Sequence, residues 1–461
     1  MMKLKTLPRG MRLSLATTLM LAWPVYAADE GQTRQASTPP AEAVAGPTVQ
    51  TEETPTVPVL PEPLTLESVM ALPDSISPQI LGAQARQARA QARYNLQETE
   101  DNFELNLIGR LGWREYDFQP EDNHLFGLAL GKEIYDFGRN DAALEAEEKR
   151  LVAQNRLYED EKIQFQIRLM QAYFNIILAD FQYRIENEAM AVAYIAMDKA
   201  RDRHELQQLS DVDYIKLQAD YEKLLVKRSR ASYEQRRTRT YLANLVGQPD
   251  RLADKLDFPK LNSITGRPLE DLKHYQDMAL ANNPYLQHLE MRLQAAQSDL
   301  EGESLEDKPV FRMDALAGYS SNYAYGREGR WRVDLTMNYP LYDGGVRSAR
   351  VSEARAGVQE IQAEIQQYQQ TLRDQVADLY FKLQMAEAEK KQNTVFGEYS
   401  ELYLDYSRAL YENESTTDLG DSMVRLSEAN YQVIAQKFRQ TLQWAKLDYL
   451  TGKQVALETY K

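Results

Sequence analysis

Four short segments of the chain alternate apolar and polar residues with a period of two. In the first, Phe103, Leu105, Leu107, Gly109, Leu111 and Trp113 alternate with Glu104, Asn106, Ile108, Arg110 and Gly112. In the second, Phe126, Leu128 and Leu130 alternate with Gly127, Ala129 and Gly131. Phe311, Met313, Ala315, Ala317 and Tyr319 make the third apolar set, against Arg312, Asp314, Leu316 and Gly318. Trp331, Val333, Leu335, Met337 and Tyr339 make the fourth, against Arg332, Asp334, Thr336 and Asn338. The pattern predicts strands near 103–113, 124–135, 310–319 and 331–341. Strands of about 9–11 residues with aromatic ends match the height of a membrane barrel. Phe103, Trp113, Phe126, Phe311, Tyr319, Trp331 and Tyr339 are the candidate lipid-facing residues. Charges such as Glu104, Arg312 and Asp334 are costly against lipid and cheap in a water-filled lumen. The alternative is a soluble sheet with one face on a core, which needs an apolar layer that no strongly apolar helix supplies. Four strands cannot close a conducting barrel, so several chains are expected to share one. The polar stretches 114–123 and 320–330 read as hairpin loops on the outer side of the cell.

The remaining pattern is helical. Between Arg139 and Val246 there is neither glycine nor proline, and helix formers such as Ala, Glu, Leu, Gln, Arg and Lys dominate. A helix of about 70 residues from Arg139 to the turn at Ser210 is roughly 105 Å long. Tyr214, Leu217, Tyr221 and Leu224 form a narrow apolar seam, suited to coiled-coil packing rather than burial all round.

The chain also repeats itself. Ile134-Tyr-Asp-Phe-Gly138 returns as Leu341-Tyr-Asp-Gly-Gly345, and Tyr173-Phe174 as Tyr380-Phe381, both 207 residues on. Leu242, Leu245 and Gly247 return as Leu447, Leu450 and Gly452, 205 residues on. The unit is too long for a solenoid and reads as a duplicated half. The first repeat, 64–249, is a helix, two strands and a helical hairpin over 139–246. The second, 269–455, follows the same plan with its hairpin over 346–451, and 250–268 links the two.

Composition narrows the picture. Lys3, Lys5, Arg9 and Arg12 precede a short apolar run at 13–22 and the small-x-small site Val25-Tyr26-Ala27, the form of a secretory signal over 1–27. An uncleaved anchor is disfavoured, because the run falls far short of the roughly 20 residues a spanning helix needs. Residues 28–63, rich in Pro, Thr, Ala and Glu, read as a linker with little to bury. Mean hydropathy is −0.58, which excludes a helical inner-membrane protein but not a barrel. The net charge of −15 argues against nucleic acid as a partner. With no cysteine there is neither a disulfide nor a lipid on an N-terminal cysteine, so anchoring is expected from the barrel alone.

Tyr339-Pro-Leu-Tyr-Asp-Gly-Gly345 with Arg347, and the twin Glu133-Ile-Tyr-Asp-Phe-Gly138, resemble the strand-to-helix junction of TolC-type outer-membrane efflux proteins. Ala172-Tyr-Phe174, the Ser210-Asp-Val212 turn leading to Ala219 and Tyr221, and Leu242-Ala-Asn-Leu-Val-Gly-Gln-Pro249 extend the resemblance over roughly residues 64–455. It implies a mainly α fold with β: a homotrimer whose twelve strands form one outer-membrane barrel continuous with a long helical tunnel in the periplasm of a Gram-negative bacterium. It further implies a passive exit duct for a tripartite efflux pump or type I secretion system, working with a periplasmic adaptor (membrane fusion protein) and an inner-membrane pump or ABC-type secretion ATPase. At the junctions, Tyr135, Asp136 and Gly138 match Tyr342, Asp343 and Gly345, while Pro340 and Gly344 belong to the second copy alone. Glycine suits the abrupt turn and aspartate a helix entry. Because Phe137 stands where the second copy has Gly344, the two junctions are expected to differ in shape.

The resemblance places a gate at the hairpin tips, near 209–213 and 415–421. Asp211, Asp213, Asp418 and Asp421 would make carboxylate rings in a trimer, attracting cations and basic partners. For Asp211, helix capping beside Ser210 is an equally good account. Arg203, Arg408 and Arg425 are possible gate-locking partners, against the simpler reading of solvated helix faces. Catalysis, cofactor and metal find no support. His124, His204, His274 and His288 show no ligand spacing, and His274 and His288 read as surface residues. Asp136-Phe-Gly138 stands without the rest of a kinase signature. The competing function is a soluble periplasmic coiled-coil scaffold or adaptor.

Overall fold

The computed structural model describes residues 61–116, 119–249, 255–261, 267–321, 329–413, 419–453 and 455. The expected signal, nearly all of the 28–63 segment and Asp418 lie outside them. The described residues all fall within the unit Thr54–Lys461.

A short α1 (Leu66–Met70) and α2 (Pro78–Thr99) lead into β1 (Glu104–Arg110), β2 (Trp113–Tyr116), β3 (Gln119–Asp122) and β4 (Leu125–Tyr135). The long α3 (Arg139–Glu205) turns back as α4 (Asp211–Leu245). The second repeat gives α5 (Leu272–Asn282), α6 (Pro284–Ser304), β5 (Val310–Ser320), β6 (Gly329–Asn338), α7 (Val346–Glu412) and α8 (Leu419–Leu450). α3 and α7 have 67 residues each, about 100 Å at 1.5 Å per residue.

The strands form one antiparallel sheet in the order β1-β4-β5-β6, whose outer strands β1 and β6 have one unpaired edge each. The first expected strand is interrupted. It stops at Arg110, and beyond Leu111-Gly112 the chain resumes as a separate two-stranded ribbon, β2 with β3. The stretch expected as a loop at 114–123 is therefore largely this ribbon. At the break, the Gly112 N–H donates to His124 Nδ1 (3.3 Å) and the Asn123 N–H to the Gly112 carbonyl (2.7 Å). Trp113 belongs to the ribbon and lies edge-on to His124, ring centroids 5.3 Å apart. At the other end, β6 stops at Asn338, two residues before Pro340, which has no N–H to extend the ladder.

The helices stand side by side. α2, α3, α6 and α7 neighbour one another in that order near the sheet, and α4, α3, α8 and α7 at the far end. The heptad seam of α4 is half-buried at Tyr214, Leu217, Tyr221 and Leu224 and becomes fully buried at Ala231, Thr238 and Leu242, the spacing of 3.5 that keeps a coiled-coil seam on its partner. The core sits midway, where most of the helices overlap. Tyr173, Phe174, Leu372, Val376, Phe438 and Trp444 are wholly or almost wholly buried there. Phe174 stacks on Phe438 at 4.2 Å between centroids. Tyr173 Oη donates to the Leu64 carbonyl at 2.8 Å, fastening the segment before α1, which also bridges to Leu256.

The repeated Leu-x-x-Leu-x-Gly pattern has a structural cause. After α4, Gly247 takes φ +70°, and the Gln248 N–H donates to the Ala243 carbonyl at 2.8 Å. After α8, Gly452 takes φ +73°, and the Lys453 N–H donates to the Asp448 carbonyl at 2.8 Å. Both are Schellman caps.

Candidate functional site

The sheet has two chemically distinct faces. The register sets Leu107 against Leu128, Leu128 against Ala317, Phe126 against Tyr319 and Ala317 against Trp331. The apolar set of every strand thus falls on one side, and Leu105, Leu107, Phe126, Leu128, Trp331, Val333 and Leu335 are exposed there. Phe311 lies on the same face, half-buried. Phe103 and Tyr339 each stand one residue beyond their strands and are also exposed. On the other face Arg312 pairs with Asp314 (3.0 Å) and Glu104 (3.5 Å), and Arg332 with Asp334 (2.7 Å). Gly127 faces Gly318 across β4 and β5, where a Cβ on either would run into the opposite backbone.

The two strand-to-helix junctions have the same shape, contrary to the expectation drawn from Phe137. Phe137 and Gly344 both take left-handed φ, +63° and +69°, followed by Gly138 at +90° and Gly345 at +92°. The carboxylates impose this. Asp136 accepts from the Gly138 N–H (2.9 Å) and from the Asn140 N–H, and Asp343 from the Gly345 N–H (2.9 Å) and the Arg347 N–H (2.8 Å). Each aspartate thus satisfies two amides at the start of a long helix. The bonds to Arg347 and Gly345 hold the Asp343 carboxyl below the usual carboxylate range. Phe137 tolerates an angle that disfavours side chains by about 1–2 kcal/mol, and its ring packs on Tyr135 at 4.7 Å. Tyr135, Pro340, Tyr342 and Gly344 are exposed beside these turns.

At the first hairpin tip, α3 ends in a Schellman cap with Gln207 at φ +59°, its Gln208 N–H on the Arg203 carbonyl (2.8 Å). Ser210 caps α4, accepting from the Asp213 N–H at 3.2 Å and donating to the Asp213 carboxylate at 2.7 Å. Asp211 does not meet Arg203. It pairs with His204 at 2.7 Å, whose ring stacks on Tyr214 at 4.8 Å. The spacing of seven between His204 and Asp211 across a tight turn is the one sequence signal for this pair. At the second tip Asp421 pairs with Arg425 at 2.7 Å, one turn along its own helix, and Arg425 lies over the Tyr403 ring at 5.5 Å. Arg408 pairs with Asp405 at 3.8 Å, and Arg203 is exposed.

Two of the buried titratable groups in the helical body are His288 and Asp160. His288 is buried rather than on the surface: Pro284 opens α6, and this turns His288 onto α3, where its Nδ1 lies 2.8 Å from the Ala153 carbonyl. Burial lowers its pKa. Asp160 accepts from Tyr449 Oη (2.6 Å) and Gln164 Nε2 (2.9 Å), and burial holds its carboxyl above the usual range. Among the described residues no cluster of His, Asp or Glu has the makings of a metal site, and no helix is long and apolar enough to cross a membrane.

An apolar-faced antiparallel sheet carried on a layer of paired 100 Å helices, with a polar opposite face, defines the class of outer-membrane channel proteins. The chain belongs to the outer membrane efflux protein family, whose profile matches residues 75–248 and 276–453, one segment per repeat. It resides in the outer membrane of a Gram-negative bacterium and is not an enzyme. Alkaline protease secretion protein AprF of Pseudomonas aeruginosa is 21% identical over 349 residues, which span 73% of this chain and 70% of AprF. The CmeC outer membrane channel of Campylobacter jejuni superposes with a TM-score of 0.69 at 13% identity, covering 84% of this chain and 85% of that one. The outer membrane protein VceC of Vibrio cholerae gives a TM-score of 0.67 at 17% identity, covering 85% and 97%.

Proposed function

We propose that three copies of this chain close into one duct, twelve strands in the outer membrane above a ring of helices in the periplasm, through which solutes or proteins leave the cell passively. The observation that carries this reading is the uncovered half of a repeated contact. Within the chain, Phe174 of α3 stacks on Phe438 of α8. The positions equivalent by duplication are Phe381 of α7 and Tyr233 of α4, and they are 54% and 70% exposed. Val192 touches Gly420 in the same α3–α8 seam, and its equivalents Tyr399 and Ile215 are exposed as well. Each copy therefore offers α7 at one edge and α4 at the other, the condition for a head-to-tail ring. The free edges of β1 and β6 close on the same plan. Two copies would give eight strands, an interior filled by side chains, so three is the smallest number that leaves a passage.

The domain plan follows the duplication, with one strand pair and one hairpin per repeat. The tips bearing Asp211, Asp213, Asp418 and Asp421 form the gate and the docking end for an adaptor, with Arg203, Arg408 and Arg425 as candidate locks. A secretion ATPase or an efflux pump in the inner membrane supplies the energy. AprF, named for alkaline protease secretion, favours the first.

The test uses the absence of native cysteines. A Tyr233→Cys, Phe381→Cys double variant should cross-link on oxidation into dimers and closed trimers on a denaturing gel, while either single variant stays monomeric. The same protein should stay in the outer-membrane fraction through a carbonate wash, leave it only with detergent, and conduct in a planar bilayer. A protein that washes free, gives no ladder and conducts nothing is a soluble scaffold instead.

A further inference from the structure

The chain is acidic, with a net charge of −15, yet the upper helical layer holds a basic cleft. It has a volume of about 400 Å³ and takes its lining from α2, α3, α6 and α7. Arg86, Arg89 and Arg93 enter from one face of α2, Arg150 from α3 and Arg292 from α6, against only two carboxylates in the wall, Glu147 and Asp299. Both carboxylates are engaged by Arg150. Arg86 pairs with Glu161 at 2.6 Å and Arg292 with Glu364 at 3.2 Å. Arg89 and Arg93 are exposed and have no ion-pair partner among the described residues. The adjacent row on α2, Leu81, Ala85, Ala88, Ala92 and Leu96, carries no charge.

The cleft lies among the four neighbouring helices nearest the sheet. Arg150 lies about 16 Å below the junction at Arg139, counting 1.5 Å per residue. Guanidinium groups with free donors lining a cleft are suited to bidentate capture of phosphate or carboxylate.

We infer that Arg89 and Arg93, backed by Arg86, Arg150 and Arg292, form an oxyanion-binding site on the wall of the passage, repeated three times as a basic belt below the barrel. Its ligands are small solutes bearing phosphate or clustered carboxylates. The belt gives anionic cargo a foothold within an otherwise acidic duct. The location on the passage wall rests on the duct reading above; the binding itself does not.

The test is calorimetry on the full-length protein in detergent, with pyrophosphate and citrate as separate probes. Binding of either, weakened by salt, is expected, and pyrophosphate against citrate shows whether phosphate or carboxylate is preferred. Arg89→Gln with Arg93→Gln should weaken it about tenfold or more, and Arg89→Gln alone should lower it by a smaller factor. Sedimentation should show the assembly of the double variant intact, so that lost binding is separated from lost assembly. In planar bilayers pyrophosphate should reduce the wild-type conductance and leave that of the double variant unaffected. A wild-type protein that conducts but binds neither probe overturns the site and spares the duct. Binding that survives the double substitution also overturns it. Binding without conductance leaves the site standing and removes the duct.

Discussion

Removing the ring of Phe381 should loosen the assembly without unfolding the chain. Phe381 is 54% exposed in the single copy. A phenylalanine buries roughly 200 Å² in full, so covering its exposed half removes about 100 Å² from water. At about 25 cal/mol per Å² this is about 2.5 kcal/mol, or roughly 60-fold in affinity at each contact. Phe174, its counterpart, is fully buried inside one copy, and its loss costs the fold itself about 3–5 kcal/mol. The two alanine variants therefore separate. Phe381→Ala should shift trimer dissociation, followed by sedimentation against protein concentration, and leave the helical melting of the dissociated chain in place. Phe174→Ala should lower both. An unaltered dissociation curve for Phe381→Ala would refute the argument that duplication leaves an unfilled contact for a neighbouring copy.

Other outcomes follow from the same geometry. Replacing Gly345, held at φ +92°, by Ala should destabilise the second junction by about 1–2 kcal/mol, seen as faster hydrogen exchange at the start of α7. The folded pKa of Asp343 lies below its unfolded value, so its stabilising contribution is present above the ordinary carboxylate pKa of about 4 and is lost as pH falls through the lowered value. Asp343→Asn should remove that acid-dependent step in the Arg347 amide's exchange. His288 is likewise depressed. Its contribution is complete above the unfolded pKa of about 6.5 and is lost as pH falls toward the folded one, and His288→Gln should flatten the melting temperature across that window. The double variant Asp418→Ala, Asp421→Ala should weaken the cation preference of the reversal potential; unchanged selectivity would place the constriction elsewhere.

Much of this architecture could be read from residue order because its signals are local. The four apolar alternations needed only the pleat, and the observed register puts them all on one face. The long helices needed only the absence of breakers. What failed depended on contacts distant in sequence or on backbone chemistry hidden by side-chain identity. The break after Arg110 owes its bond to His124, twelve residues from Gly112. Phe137 promised a different turn from Gly344, but two amide bonds to Asp136 outweigh the preference of one residue. His288 sits opposite Ala153, 135 residues away, and nothing near it in the sequence announces its burial. At the tips the acidic positions are legible in the sequence, whereas the pairing of His204 with Asp211 depends on the turn that folds α4 back on α3.

The continuity of α3 has a mechanical consequence. It runs from the sheet to the hairpin tip as a single rod of about 100 Å, clamped near its midpoint by Tyr173 and Phe174. A rod pivoting on a central clamp would swing its upper end as far as its lower one, and the upper end is joined to β4 through the Asp136 turn. Parting the tips therefore demands flexure of the lower half, spread over many residues, since no proline or glycine offers a hinge. In the proposed duct such a spring would return to its resting curve when the force is withdrawn, so whatever opens the passage would have to hold it open for as long as cargo is in transit.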